Sequence, residues 1–314
     1  MKKILVVLLA FMMVFALVAC GDNGEEEVAW PEEGKTIEII CPYGTGGDTD
    51  ALARQIALGM EKNLGIPVMV TNMKGGSGAV GAEYVLDSEA DGYTAFFCHQ
   101  SLVLNKAFGT TDYDHTAFTP AALTAQSTAM VLVSKKFKTV DEVIAYAKAN
   151  PGQLQFGMCA GGITEVMAYA FCDAVGIEAN FVDCGDGTTE NNEVVGGRLD
   201  VAVNTYGTVK SYVEGKEFEV ISVLGSERID ACADVATMQE LGYNVDGNMY
   251  YGLWLPGDVD GKVAEAFIAA VKAASEETEY IDLTKSYAYN PVCIAGADAK
   301  KIMDDQLAYY ESLL

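Results

Sequence analysis

The chain alternates short apolar runs, often β-branched, with stretches in which apolar positions return every three or four residues. "TIEIIC" (36–41) is the first run and reads as a strand from its β-branched content. Residues 49–64 then set Leu52, Ile56, Met60 and Leu64 four apart, one face of a helix that stops at Gly65. "PVMVT" (67–71), a glycine-rich turn, "AVGAEYVL" (79–86) and "YTAFFC" (93–98) repeat the order strand, turn, helix, strand. That order is the βαβ rhythm of a parallel sheet covered by helices.

A second series starts at "MVLVS" (130–134). "TVDE" (139–142) is a capping box that opens a helix closed by Pro151-Gly152. Strand "LQFGMC" (154–159), helix 164–175, strand "ANFVDC" (179–184) and helix 188–196 follow. Then come strand "DVAVN" (200–204), helix 206–214 and strand "FEVISVLG" (218–225). After "MYYGLWLP" (249–256) the remainder reads as helical, over 261–277, 279–287 and 297–313. The predicted class is α/β with two lobes, 35–124 plus 228–314 and 125–227. A helical tail cannot build a domain alone, so it packs back on the first lobe. The chain then crosses between lobes twice, near 122–130 and 224–232, which makes a hinge beside a cleft.

The N-terminus bears on where the protein works. Met1-Lys2-Lys3, an apolar run from Ile4 to Ala19 and the small residues around Cys20 describe a secretory signal over 1–19. "LVAC" (17–20) resembles a bacterial lipoprotein box, with Cys20 as the lipidated residue; an ordinary signal with a chance cysteine is the alternative. Residues 20–34, "CGDNGEEEVAWPEEG", then form an acidic tether whose carboxylates repel one another. The whole chain carries a net charge of −25, which excludes a nucleic-acid partner because phosphate binding needs a basic footprint. Self-repulsion on that scale favours a monomer.

Seven cysteines follow Cys20 without a C-x-x-C pair, so no zinc site is expected. They read as small core hydrophobes, with Cys41/Cys98 and Cys159/Cys184 as the pairs placed for a disulfide. With only His99 and His115 as histidines, a His-rich metal site is excluded as well. "GTGGDT" (44–49) lacks the Gly-Lys-Ser/Thr of a P-loop and the last glycine of a dinucleotide turn. "GGSGA" (75–79) resembles a hydrolase elbow but ends in alanine, and no histidine is placed to activate Ser77. Cys98 and His99 are adjacent on a strand and so point to opposite faces. No cofactor is implied, and an enzyme or a sensor without transport stands only as the alternative to a binding protein. What survives is an anion turn: orphan N–H groups at a helix start carry partial positive charge, and "GTGGDT" and "GGSGAV" each feed a helix. In an open parallel sheet both loops lie beyond the carboxyl ends of the strands, where ligands sit.

From about residue 30 to its end the chain resembles the substrate-binding proteins of tripartite tricarboxylate transporters, the Bug or TctC-like receptors of bacteria. "CPYGTGGDTDALAR" (41–54), "GIPVMVTNMKGGSGAVGAEYV" (65–85) and "DGYTAFF" (91–97) carry the resemblance. "TVDEVIAYAKANPGQLQFG" (139–157), "VVGGRLDVAVN" (194–204) and "YYGLWLP" (250–256) extend it. It implies a type II periplasmic-binding-protein fold and a small carboxylate ligand held by first-lobe amides, often through water. It also implies delivery to membrane permease subunits driven by an ion gradient. The matching ligand-binding places are Tyr43, Gly44, Thr45, Gly46, Gly47, Asp48 and Thr49, with Gly76, Ser77, Gly78 and Ala79. His99, Gln100 and Ser101 follow the third strand; His99 reads equally as a surface or core residue. The second lobe would supply Ala160, Gly161, Gly162 and Thr164, Asp183 and Gly185, and Asn204 and Thr205.

The chain departs from that pattern in three acids, Asp48, Glu165 and Asp183. Any of them facing inward would repel a dicarboxylate. One reading is an amino-acid ligand whose amine meets Asp183; the other is that these side chains cap helices or face solvent.

Overall fold

The computed structural model describes residues 30–133, 136–225 and 227–314. The expected signal, Cys20 and most of the acidic tether lie outside them. Among the described residues no helix is long and apolar enough to cross a membrane.

Strands β1 (Ile37–Cys41), β2 (Val68–Asn72) and β3 (Thr94–Cys98) run parallel in the order β2-β1-β3. Between them lie helices α1 (Asp48–Leu64) and α2 (Ala79–Leu86); α3 (Ser101–Ala107) follows β3. α1 stops at Gly65, whose φ of 72° is the left-handed geometry that a missing Cβ permits. The same helix lies so close to α8 (Gly261–Ser275) that a Cβ on Gly59 would stand 2.8 Å from the Ala274 methyl. Phe96, Phe97 and Trp254 are fully buried here, each contributing about 2–3 kcal/mol of apolar burial.

A second parallel trio, β6-β5-β7, is built from β5 (Leu154–Met158), β6 (Ala179–Asp183) and β7 (Val201–Thr205). It carries α4 (Val140–Ala149), α5 (Ile163–Val175), α6 (Gly187–Val195) and α7 (Tyr206–Glu214). At α4 the Thr139 hydroxyl accepts from the Glu142 N–H, whereas the Glu142 carboxylate takes the N–H of Lys138, one residue earlier than a capping box requires.

The two lobes, one on each sheet, are joined through β4 (Phe118–Val133), a strand of 16 residues. Its first part pairs antiparallel with β9 (Asn248–Pro256) and its last five residues with β7 and with β8 (Glu219–Leu224). Three expectations are corrected. The sheets are mixed, since β3–β9 and every β4 pairing are antiparallel. The strand at 130–134 begins twelve residues earlier; residues 118–127, "FTPAALTAQS", are mostly small with little strand preference and become strand because a neighbouring strand pairs with them and most of them are buried. The tail is not all helical: β10 (Asn290–Ala295) pairs with β4, between α9 (Thr278–Ser286) and α10 (Gly296–Glu311). The seven described cysteines, including Cys41/Cys98 and Cys159/Cys184, are free thiols.

Candidate functional site

The turns that follow β1, β2 and β3 face those that follow β5 and β6 across a groove of about 400 Å³. Tyr43, Lys74, Ser77, Gly78, His99 and Ser101 line it from the first lobe. Ala160, Gly161, Gly162, Thr164 and Gly185 line it from the second, with Cys159 beneath. An inner chamber of about 170 Å³ shares His99, Cys159, Ile163, Thr164 and Gly187 with the groove, so the two voids adjoin. Asp48 and Tyr251 wall the chamber on one side, and Asn204, Thr205 and Thr208 on the other. The lobes nearly touch at the lip: Gly161 has φ of +70°, and a Cβ there would stand 3.2 Å from the Ser77 Oγ.

Local chemistry fixes the first wall. Asp50 accepts from the Gly46 N–H at 3.0 Å and the Asn72 amide at 2.8 Å, and Arg54 closes on it at 2.9 Å. Asn72 in turn donates to the Tyr43 carbonyl, so this network ties the β1 turn to the end of β2. Burial pushes the Asp50 carboxyl up, but the Arg54, Gly46 and Asn72 donors outweigh it and hold it below the usual range. Arg54 therefore braces the turn and does not face the groove. From Gly75 to Gly78 every φ is positive, including 51° at Ser77. Among the described residues the amides of Gly76 and Ser77 have no acceptor within the protein.

Asp48 is the first residue of α1. Its Oδ1 accepts from the Thr49 N–H at 2.7 Å, and its Oδ2 from the phenols of Tyr251 at 2.8 Å and Tyr289 at 2.6 Å. Burial, then the Asp48 charge, pushes both phenols well above their ordinary range, so they remain donors. His99 stacks on Tyr43 with centroids 4.7 Å apart. Burial lowers its pKa to about 4 despite the nearby Asp48, leaving a neutral ring at pH 7. Its Nδ1 is buried without a partner. Behind Cys159, the fully buried Glu190 is pushed up to about 8 by burial. Burial raises the Cys159 thiol too and carries Cys98 to about 12, so neither is poised as a thiolate nucleophile.

The other expected residues lie apart from these voids. Thr45, Gly46 and Gly47 are exposed at the tip of the first turn. Gly44 lies beside the Lys74 Nζ, and Thr49 and Ala79 are buried. Gly76 belongs to the turn without lining the void. Gln100 is fully buried and donates to the Asn248 carbonyl and to Gln306, away from the groove. Asp183 is exposed and accepts from the Ala160 N–H at 3.1 Å and the Gly185 N–H at 3.0 Å. Glu165 accepts from the Gly161 N–H and the Tyr169 hydroxyl, both at 2.7 Å. Of the three acids, Asp48 alone lines the chamber. Sequence reasoning missed Lys74, Tyr251 and Tyr289. Lys74 and Tyr251 stand inside quoted motifs, but nothing local marks them, and Tyr289 is 241 residues from the carboxylate that it holds.

Two α/β lobes around a shared cleft define a solute-binding architecture. Residues 52–314 match the model of the tripartite tricarboxylate transporter family receptor, TctC, and the chain belongs to that family. It is 27% identical over 266 residues to a protein from the TAR-I ttuE-ttuC' intergenic region of Agrobacterium vitis, covering 82% of this chain and 76% of the relative. MatC from Rhodopseudomonas palustris with bound malate has the same fold: TM-score 0.81, 21% identity, 90% of this chain and 99% of that one. So does an R. palustris protein with adipate, at TM-score 0.81 and 22% identity, over 90% and 97% of the two chains. The family is one of receptors rather than enzymes.

Proposed function

We propose that this receptor takes a small carboxylate into the adjoining groove and chamber and hands it to the membrane permease subunits of a tripartite tricarboxylate transporter. The observation that carries this reading is a groove walled by turns of both lobes, with the unpaired amide of Ser77, a lining residue, on the first-lobe side and that of Gly76 next to it. Such amides grip a carboxylate without a dedicated cation. Malate and adipate in the two R. palustris relatives fit that class of ligand. Closure follows because Ser77 and Gly161 come together over the ligand, and a ligand touching both lobes favours the closed form. The protein works outside the cytoplasm as a monomer, held to the membrane by a lipid on Cys20. Transport then draws on the ion gradient across the permease.

Thermal melting of the purified protein with malate, succinate, adipate and amino acids tests the reading. A hundredfold excess over Kd stabilises by about 2.7 kcal/mol. No shift with any of these compounds, or turnover of one of them, would refute it.

A further inference from the structure

The cleft is polar in a definite direction. At its inner end the Asp48 carboxylate is held by four neutral donors, the Thr49 N–H and hydroxyl, Tyr251 and Tyr289, and by no cation among the described residues. The neighbouring imidazole of His99 is neutral at pH 7 and supplies no balancing charge. The Asp48 Oδ2 accepts from both phenols, and its Oδ1 from the Thr49 N–H at 2.7 Å and, at 3.3 Å, from the Thr49 hydroxyl. Aliphatic side chains, Ile163, Met167, Val203 and Met249, complete the chamber. At the outer end stands Lys74, exposed and without an ion-pair partner among the described residues. The Ser101 Oγ, on a residue 2% exposed that lines the same groove, has no hydrogen-bond partner.

We infer that the ligand carries an ammonium as well as a carboxylate, with the ammonium seated in the chamber against Asp48. The carboxylate then lies in the groove by the Ser77 turn, Ser101 and Lys74. This deepens the carboxylate-receptor reading and rests on it. A dicarboxylate filling both voids would set one of its charges against Asp48, with no cation between them. An ammonium in that place pairs with the carboxylate and supplies the positive charge that its neutral donors do not. Asp186, the acid that lines the groove, is held at the start of its own helix by the Thr189 N–H and hydroxyl, and Asp183, apart from the voids, by its own loop amides.

Calorimetry decides, with pairs matched in length: succinate against 4-aminobutyrate, adipate against 6-aminohexanoate, malate against aspartate, and glutarate against glutamate. The wild-type protein is expected to bind at least one amine-bearing member about tenfold tighter than its partner. Asp48→Asn, which keeps an acceptor for the two phenols, should erase or reverse that preference. Lys74→Gln, at an exposed position that leaves folding intact, should weaken both classes. Amine-free members binding tighter than their amine-bearing partners in every pair would overturn the inference while leaving the carboxylate receptor standing. A preference unchanged in a folded Asp48→Asn protein would overturn it too. Silence from all eight compounds would refute both readings.

Discussion

The two walls of the cleft treat their backbone differently. On the first-lobe side the turn from Gly75 to Gly78 leaves the Gly76 and Ser77 amides open. On the second-lobe side the equivalent amides are already taken: Asp183 holds those of Ala160 and Gly185, and Glu165 holds that of Gly161. An anion reaching the first wall finds donors, whereas at the second it finds carboxylates that have claimed them. On the proposed reading the first wall grips and the second covers, and substitutions separate those roles.

The largest effect is expected beneath the cover. Glu190 is protonated in the folded protein up to about pH 8, while its ordinary value is 4.5. Between those values the folded state binds more protons than the unfolded one, so stability falls as pH rises. Denaturant unfolding should lose on the order of 3 kcal/mol from Glu190 between pH 5 and pH 8. Glu190→Gln should remove that slope; an unchanged profile would mean that Glu190 is ionised in the fold. Next is Gly78→Val in the grip. Its φ is +100°, and a Cβ would meet Ser101 at 3.1 Å and Pro42 at 3.3 Å, a cost of about 2 kcal/mol or more. The ligand-induced rise in melting temperature should vanish with it.

Gly161→Ala should act at the contact between the walls. The added methyl meets Ser77 and strains a left-handed residue, costing about 1 kcal/mol of stability. Calorimetry should show weakened binding, because the lips are held apart. The smallest effect belongs to Asp183→Ala, about 0.5–1 kcal/mol from two lost loop hydrogen bonds. Ligand affinity should barely change. If Asp183→Ala abolished binding while Gly78→Val retained it, grip and cover would have to be exchanged.

Much of the fold was legible in the sequence because its signals are local. The four-residue spacing from Leu52 to Leu64 and the stop at Gly65 gave α1 to within a residue, and 79–86 and 206–214 match their helices end to end. β10 and the first half of β4 were not legible. Their side chains show no strand pattern, and they are strands because neighbours far along the chain pair with them. The glycine turns were legible as turns, since only residues tolerant of positive φ can make them.

The sequence by itself determined that three acids fall near the two sets of turns, and that each could cap its own loop. Only the tertiary structure decided between them, because burial and long-range partners set where a carboxylate points. Asp183 and Glu165 find backbone amides within 23 residues, so their loops absorb them. Asp48 is turned into the chamber by phenols arriving from 203 and 241 residues away, partners that no local pattern can announce.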